Sequence, residues 1–168
     1  MRILYFAYGA NMATARIQDR VPSAHLVTTA ELHGYCLVCN KPGADGSAKC
    51  HIVVSDDPTA SVHGVLYDVD ASERHLLDDD QGLGSLDGIR AVQVTCADGH
   101  VRDAFTYYSL HTDDSLQIYD WYKTLLVEGA REHGLPASYR QQLETLPTMP
   151  DPDPQRAAAQ QPWYPSEH

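Results

Sequence analysis

The sequence is poor in positive charge and has no long apolar run. Lysine and arginine number 12 against 23 aspartates and glutamates, a formal net charge of −11 over 168 residues. A nucleic-acid groove is therefore not expected, because phosphate binding rests on basic groups that neutralise it. An anionic membrane surface is disfavoured on the same ground. No stretch approaches the ~20 apolar residues that a bilayer span needs. Arg2 and the run Ile3 to Tyr8 faintly imitate a leader, but Gly9 and Asn11 interrupt it at once, so it reads as a buried first strand. Cysteine is sparse, with only Cys36, Cys39, Cys50 and Cys96. A chain of this length buries enough surface to need no covalent staple. Reduced thiols and a cytoplasmic location are thus expected rather than a secreted disulfide scaffold. A Gly-x-Ser-x-Gly elbow and a phosphate-cradling P-loop are also missing, which removes two large enzyme classes.

What is present predicts one domain over 1–146 with a Pro-rich tail at 147–168. Arg2 to Tyr8 is rich in aromatic and β-branched types and predicts a strand. Asn11 is placed to cap a short helix to about Asp19, stopped by Val21-Pro22. Strands are expected at about 26–39, 50–55 and 62–69, with a Gly/Asp/Ser-punctuated loop at 41–48. Asp70 with Glu73 predicts a helix over 71–78, followed by the acidic loop Asp78-Asp79-Asp80-Gln81-Gly82. Residues 89–96 alternate, and Asp98-Gly99 turns them into a partner strand at 101–109. Leu116, Tyr119, Tyr122, Leu126 and Ala130 lie on one stripe of a helix from about Ser115 to His133, ended by Gly134. Pro136 opens a second helix to about Leu146. Six of the ten prolines lie in 147–165, so the tail reads as irregular, with Trp163 and Tyr164 available to dock. The order is not a regular βαβ alternation. It favours an α+β fold, a small mixed or antiparallel β-barrel flanked by helices.

Cys36-Leu37-Val38-Cys39, with Cys50-His51 beyond, imitates half of a zinc or redox site. Residues three apart on a strand face opposite ways, however, and Leu-Val is poor turn material. No metal ligand is assigned. The nine histidines show no metal-type spacing on a credible helix. Two places break the ordinary pattern. At Tyr8-Gly9-Ala10-Asn11-Met12 a buried strand ends on glycine, and the following N–H groups suit a carboxylate or a developing oxyanion. At Asp78-Asp79-Asp80-Gln81-Gly82 several carboxylates gather at a helix C-terminus, against the macrodipole.

Together these places resemble the γ-glutamylcyclotransferase family. Leu4-Tyr5-Phe6-Ala7-Tyr8-Gly9-Ala10-Asn11-Met12 is similar to its Tyr-Phe-Ala-Tyr-Gly-Ser-Asn run, and Leu77-Asp78-Asp79-Asp80-Gln81-Gly82 to its Leu-Asp-x-x-Glu-Gly. Pro22-Ser23-Ala24, Val62-His63-Gly64-Val65, Thr106-Tyr107 and Glu132-His133-Gly134-Leu135-Pro136 with Tyr139 follow in the same order, so the likeness spans about 3–146. It implies a small barrel without metal or cofactor, splitting a γ-glutamyl amide into 5-oxoproline and a free amine. The implied partner is a small-molecule γ-glutamyl substrate, and a homodimer stays open. The resemblance assigns substrate binding to Tyr5, Phe6, Ala7, Tyr8, Gly9, Ala10 and Asn11, with Tyr107 as a hydrogen-bonding neighbour. The family's acid/base glutamate falls on Gln81. A glutamine amide keeps the shape but moves no proton at neutral pH. Gln81 reads first as an inactive Glu-to-Gln exchange that retains a bound substrate. A natural binder without turnover, or replacement of the base by Asp79 or Asp80, are the other readings. In an extended backbone Asp79 shares the face of residue 81, which favours Asp79. Ala10 stands where the family has serine, costing a hydroxyl but not the backbone N–H.

Overall fold

The computed structural model describes residues 1–81 and 87–163, with the backbone alone at Gln81 and Asp87. Gly82 of the acidic segment and Tyr164 of the tail lie outside the described residues.

Five strands close into a barrel in the order β1 (Arg2–Ala7), β5 (Ser61–Asp70), β2 (His25–His33), β6 (Asp87–Cys96), β7 (Val101–Ser109). All neighbours are antiparallel except β1 and β7, which close the barrel in parallel at Tyr5 and Phe105. The period of two along β1 decides what fills the lumen. Phe6 and Tyr8 join Leu66, Leu32, Val92, Val94 and Ala104 in a cluster drawn from all five strands. Tyr5 and Ala7 turn the other way, into a second cluster shared with the helices.

Residues 26–39 are not one strand. Gly34 adopts φ 84°, a conformation β-branched or bulky residues resist, and the chain leaves the barrel there. Beyond it β3 (Tyr35–Pro42) pairs with β4 (Ala48–Val54) as a separate ribbon. The register slips between Val38 and Lys41, a bulge that sets Cys39 opposite Cys50. Cys39 and Cys50 form a disulfide, which corrects the expectation of four reduced thiols; Cys36 and Cys96 are free.

Asn11 is not a helix cap. Residues Ala10–Met12 make one 3₁₀ turn, and α1 (Thr14–Arg20) follows from an Ala13 cap. After β5, a 3₁₀ turn at 71–73 capped by the Asp70 side chain leads into α2 (Arg74–Gln81). The acidic segment 78–81 is therefore the last turn of a helix and not a loop. The long helix begins later than its periodicity suggests. Ile118–Tyr119 forms a short strand, β8, and α3 (Asp120–Glu132) starts behind it, ending before Gly134 at φ 67°. α4 (Ala137–Glu144) follows. The tail is more regular than its prolines imply: Thr148–Met149 (β9) pairs in parallel with β8, and α5 (Pro154–Ala158) follows. Trp163 packs against the main core. Among the described residues no helix is long and apolar enough to cross a membrane.

Candidate active site

Where β1 runs into the 3₁₀ turn the chain borders a cavity of about 110 Å³. Its first wall comes from the barrel: Tyr5 and Tyr8 of the β1 end, Gly9, Ala10 and Asn11 of the turn, and Tyr107 of β7. A helix start leaves its first N–H groups without an acceptor inside the helix, so the main chain of Ala10 and Asn11 offers donors at this wall. A Cβ at Gly9 would lie 3.3 Å from the Tyr122 hydroxyl, a tight contact. Phe6 and Ala7 do not border the cavity; Phe6 fills the barrel lumen and Ala7 the core behind it.

The acidic helix end reaches the same cavity. Asp80 is among the lining residues, and its carboxylate accepts from Asn11 Nδ2 at 3.2 Å. Two arginines of α1, one turn apart, hold it from the other side: Arg20 Nε at 2.8 Å and Arg16 at 3.7 Å. These cations offset the charge that a run of aspartates places at a helix C-terminus, and buried Leu77 anchors the turn. Because 78–81 is helical, Asp79 does not share the inner face. Asp80 lines the cavity, with its side chain 16% exposed, and Asp79 does not, which corrects the extended-backbone argument for Asp79. Asp78 accepts a hydrogen bond from the Tyr107 hydroxyl at 2.6 Å. The side chain of Gln81 lies outside the described residues.

Asn11, only 2% exposed, joins these pieces. Its amide donates to Asp80 and, at 3.4 Å, to the Tyr5 hydroxyl, while its carbonyl accepts from Arg16. Burial raises the Tyr5 hydroxyl well above the ordinary phenol value, and it does the same at Tyr107, where Asp78 adds to the effect. Both phenols therefore stay protonated near neutrality. Burial also lowers Arg16, with the charge of Asp80 opposing it.

The second wall is one that strand and helix patterns do not announce: Lys41, Lys49 and Cys50 from the ribbon, Trp121 and Tyr122 from α3. Lys49 Nζ lies over the Trp121 ring at 4.4 Å and the Tyr122 ring at 4.8 Å, and bonds Asp45 at 2.9 Å. Its burial lowers the ammonium pKa, and Asp45 works against that shift. The C-terminal segment holds this wall in place. Asp151 accepts from Trp121 Nε1 at 2.8 Å and takes both arms of Arg156, at 2.6 and 2.7 Å. Arg156 in turn stacks on Tyr119 at 5.3 Å. Near the end of the described chain, Trp163 lies under Arg20, the same arginine that pairs with Asp80. Among the described lining residues three cations face one carboxylate. Arg16 is paired with Asp80, and Lys49 with Asp45. The signal for the two arginines was present, as a basic pair four apart on a helix facing an acidic segment. Nothing local marks Lys49 or Trp121.

A sequence model of the AIG2-like family matches residues 61–143. The chain is similar to the γ-glutamylcyclotransferase of Bos taurus, with 30% identity over 148 residues, 85% of this chain and 78% of that protein. Similarity to the γ-glutamylcyclotransferase of Homo sapiens is 29% over 147 residues, with the same shares covered. A solved γ-glutamyl cyclotransferase structure superposes with a TM-score of 0.83 at 28% identity, covering 89% of this chain and 90% of the other.

Proposed function

The chain belongs to the γ-glutamylcyclotransferase family, and on that premise we propose that it acts on a γ-glutamyl amide, releasing 5-oxoproline and a free amine. The substrate's own α-amine attacks its γ-carbonyl and closes a five-membered ring. The nucleophile is tethered from the start, so the protein has little orientational entropy left to remove. It must still deprotonate an ammonium, hold a carboxylate and stabilise a tetrahedral oxyanion.

In this reading the main-chain N–H groups of Gly9, Ala10 and Asn11 serve the oxyanion or the glutamyl carboxylate. Tyr5, Tyr8 and Tyr107 supply hydroxyls at the rim. Supporting the reading above all is a convergence: the turn at 9–11 and the acidic helix end, distant in sequence, meet across the Asn11–Asp80 bond. Gln81 at the proton-transfer position keeps the shape of glutamate without its proton chemistry. Loss of a general base costs ~10²–10⁴ in rate while ground-state binding survives, so this chain is the slow, Glu-to-Gln form.

The test is 5-oxoproline release from the chain and from Gln81→Glu, on γ-glutamyl dipeptides and γ-glutamyl alkylamines. A rise of ~10²–10⁴ in the glutamate variant is expected. If that variant is inert on every γ-glutamyl amide, the catalytic reading fails. Calorimetric binding without turnover in either protein would instead identify a non-catalytic binder of γ-glutamyl metabolites.

A further inference from the structure

With glutamine at 81, slow turnover still needs a group that takes a proton from the α-ammonium. Three aspartates precede Gln81, and their surroundings differ. Asp79 is exposed. Asp80 faces the cavity but its oxygens are taken up by Arg20, Arg16 and Asn11. Asp78 is different. Its Oδ1 accepts from the Tyr107 hydroxyl at 2.6 Å, and its ion pair is with one arginine, Arg74, at 3.6 Å. Tyr107 is 1% exposed and borders the cavity. Its ring meets Tyr5 edge-on at 5.8 Å.

We propose that Tyr107 and Asp78 form a proton relay from the cavity to the helix end, carrying the proton transfer that Gln81 cannot. This rests on the cyclotransferase reading and adds to it a catalytic hydroxyl, Tyr107, with Asp78 acting through it. The Tyr107 hydroxyl donates to Asp78, which leaves its oxygen lone pairs to accept from the substrate. A substrate N–H passes its proton to Tyr107 Oη as the Tyr107 proton moves to Asp78 Oδ1. The freed amine attacks the γ-carbonyl, and the C–N bond to the departing amine breaks as the stored proton returns through Tyr107 to the departing nitrogen. Two protons leave the α-nitrogen in all and two reach the departing nitrogen, one at a time, so the relay ends as it began. A phenol that burial keeps protonated suits a relay better than a standing base.

The experiment measures 5-oxoproline release from γ-glutamyl-alanine by the chain as it stands, by Asp78→Asn, Asp78→Glu and Tyr107→Phe, and by each change combined with Gln81→Glu. Expected are slow turnover by the chain, a further loss on the order of 10² in kcat for Asp78→Asn and Tyr107→Phe with KM within about threefold, and partial recovery in Asp78→Glu. Combined with Gln81→Glu, Asp78→Asn should cost at most about tenfold, because a glutamate supplies its own base. Activity in that double variant also proves that Asp78→Asn folds. Equal losses in both backgrounds, or none in the first, overturn the relay. A chain that is inert while Gln81→Glu turns over overturns the relay and leaves the cyclotransferase reading standing. If both are inert, the reading itself falls and the relay with it.

Discussion

The two walls of the cavity are built by different physics. The barrel wall is held by the sheet. Tyr5 and Tyr107 sit on strands β1 and β7, and bonds such as Thr106 Oγ1 to the Phe6 carbonyl at 2.8 Å and Tyr8 to the Tyr107 carbonyl at 2.6 Å tie those strands together. The opposite wall joins only the two-stranded β3–β4 ladder to a helix. Lys49, Cys50 and Trp121 come from a ribbon outside the barrel and from a helix. Beyond that short ladder they are tied by one disulfide, by the Cys50 N–H donating to the Tyr122 hydroxyl at 3.2 Å, by one carboxylate on the C-terminal segment and by stacking on aromatic rings. The first wall should resist change until the domain unfolds, whereas the second should be adjustable while the domain stays folded.

The largest effect that would sharpen this contrast is Phe6→Ala. Phe6 is fully buried in the barrel lumen, and removing such a ring costs about 3–5 kcal/mol. Denaturant titration should show that loss, with ligand affinity unchanged in the fraction that remains folded. Next comes Cys39→Ser with Cys50→Ser. The bridge closes a loop with a sequence separation of 11, for which loop-closure entropy gives about 2–3 kcal/mol. Here calorimetry should show weaker ligand binding by folded protein, and unchanged binding would erase the distinction between the walls. Tyr8→Phe removes one buried bond of the barrel wall and should lower the denaturation midpoint by about 1 kcal/mol equivalent. A loss several times larger would mean that this wall, too, depends on single ties.

The smallest effect concerns His51 on the ribbon. Burial lowers its pKa below the ordinary 6.5, and Lys41 adds to the shift. Its Nδ1 accepts from the Ser109 N–H at 3.3 Å, and Nε2 meets Asn40 Oδ1 at 2.7 Å, an arrangement that needs the neutral ring. The unfolded chain then binds the proton more readily. The stability this gives is fully present above about pH 6.5 and is lost as pH falls through the depressed folded value. Comparing His51→Gln with the parent at pH 5 and 7.5 should show a shallower pH dependence in the variant; parallel curves would rule the histidine out.

The same division explains what could be read from the sequence. The aromatic and β-branched run of β1, the alternation in β6, the Asp98-Gly99 turn into β7 and the glycine after the first strand are local signals, and the barrel with its 9–11 turn agrees with them. Gly34 looked like any strand glycine, because only the backbone angle reveals that β2 and β3 belong to different sheets. The segment 78–81 reads as a loop because three aspartates oppose a helix C-terminus. What overrides that propensity is Arg16 and Arg20, some sixty positions away. The helix start was set too early because Leu116 and Tyr119 fit the stripe, while the partner that makes a strand of Ile118–Tyr119 lies thirty residues further on. Lys49, Trp121 and Asp151 have no mutual pattern in the sequence at all. They meet only once the tail has docked.

The chain has two tryptophans, and both sit on charged groups of this cavity or its supports, Trp121 beneath Lys49 and Trp163 beneath Arg20. An ammonium or guanidinium over an indole changes the ring's electronic surroundings whenever it moves. The intrinsic emission of the molecule is thus wired to its two walls separately, and replacing either indole by phenylalanine would leave a single-site optical reporter of whichever side a ligand engages.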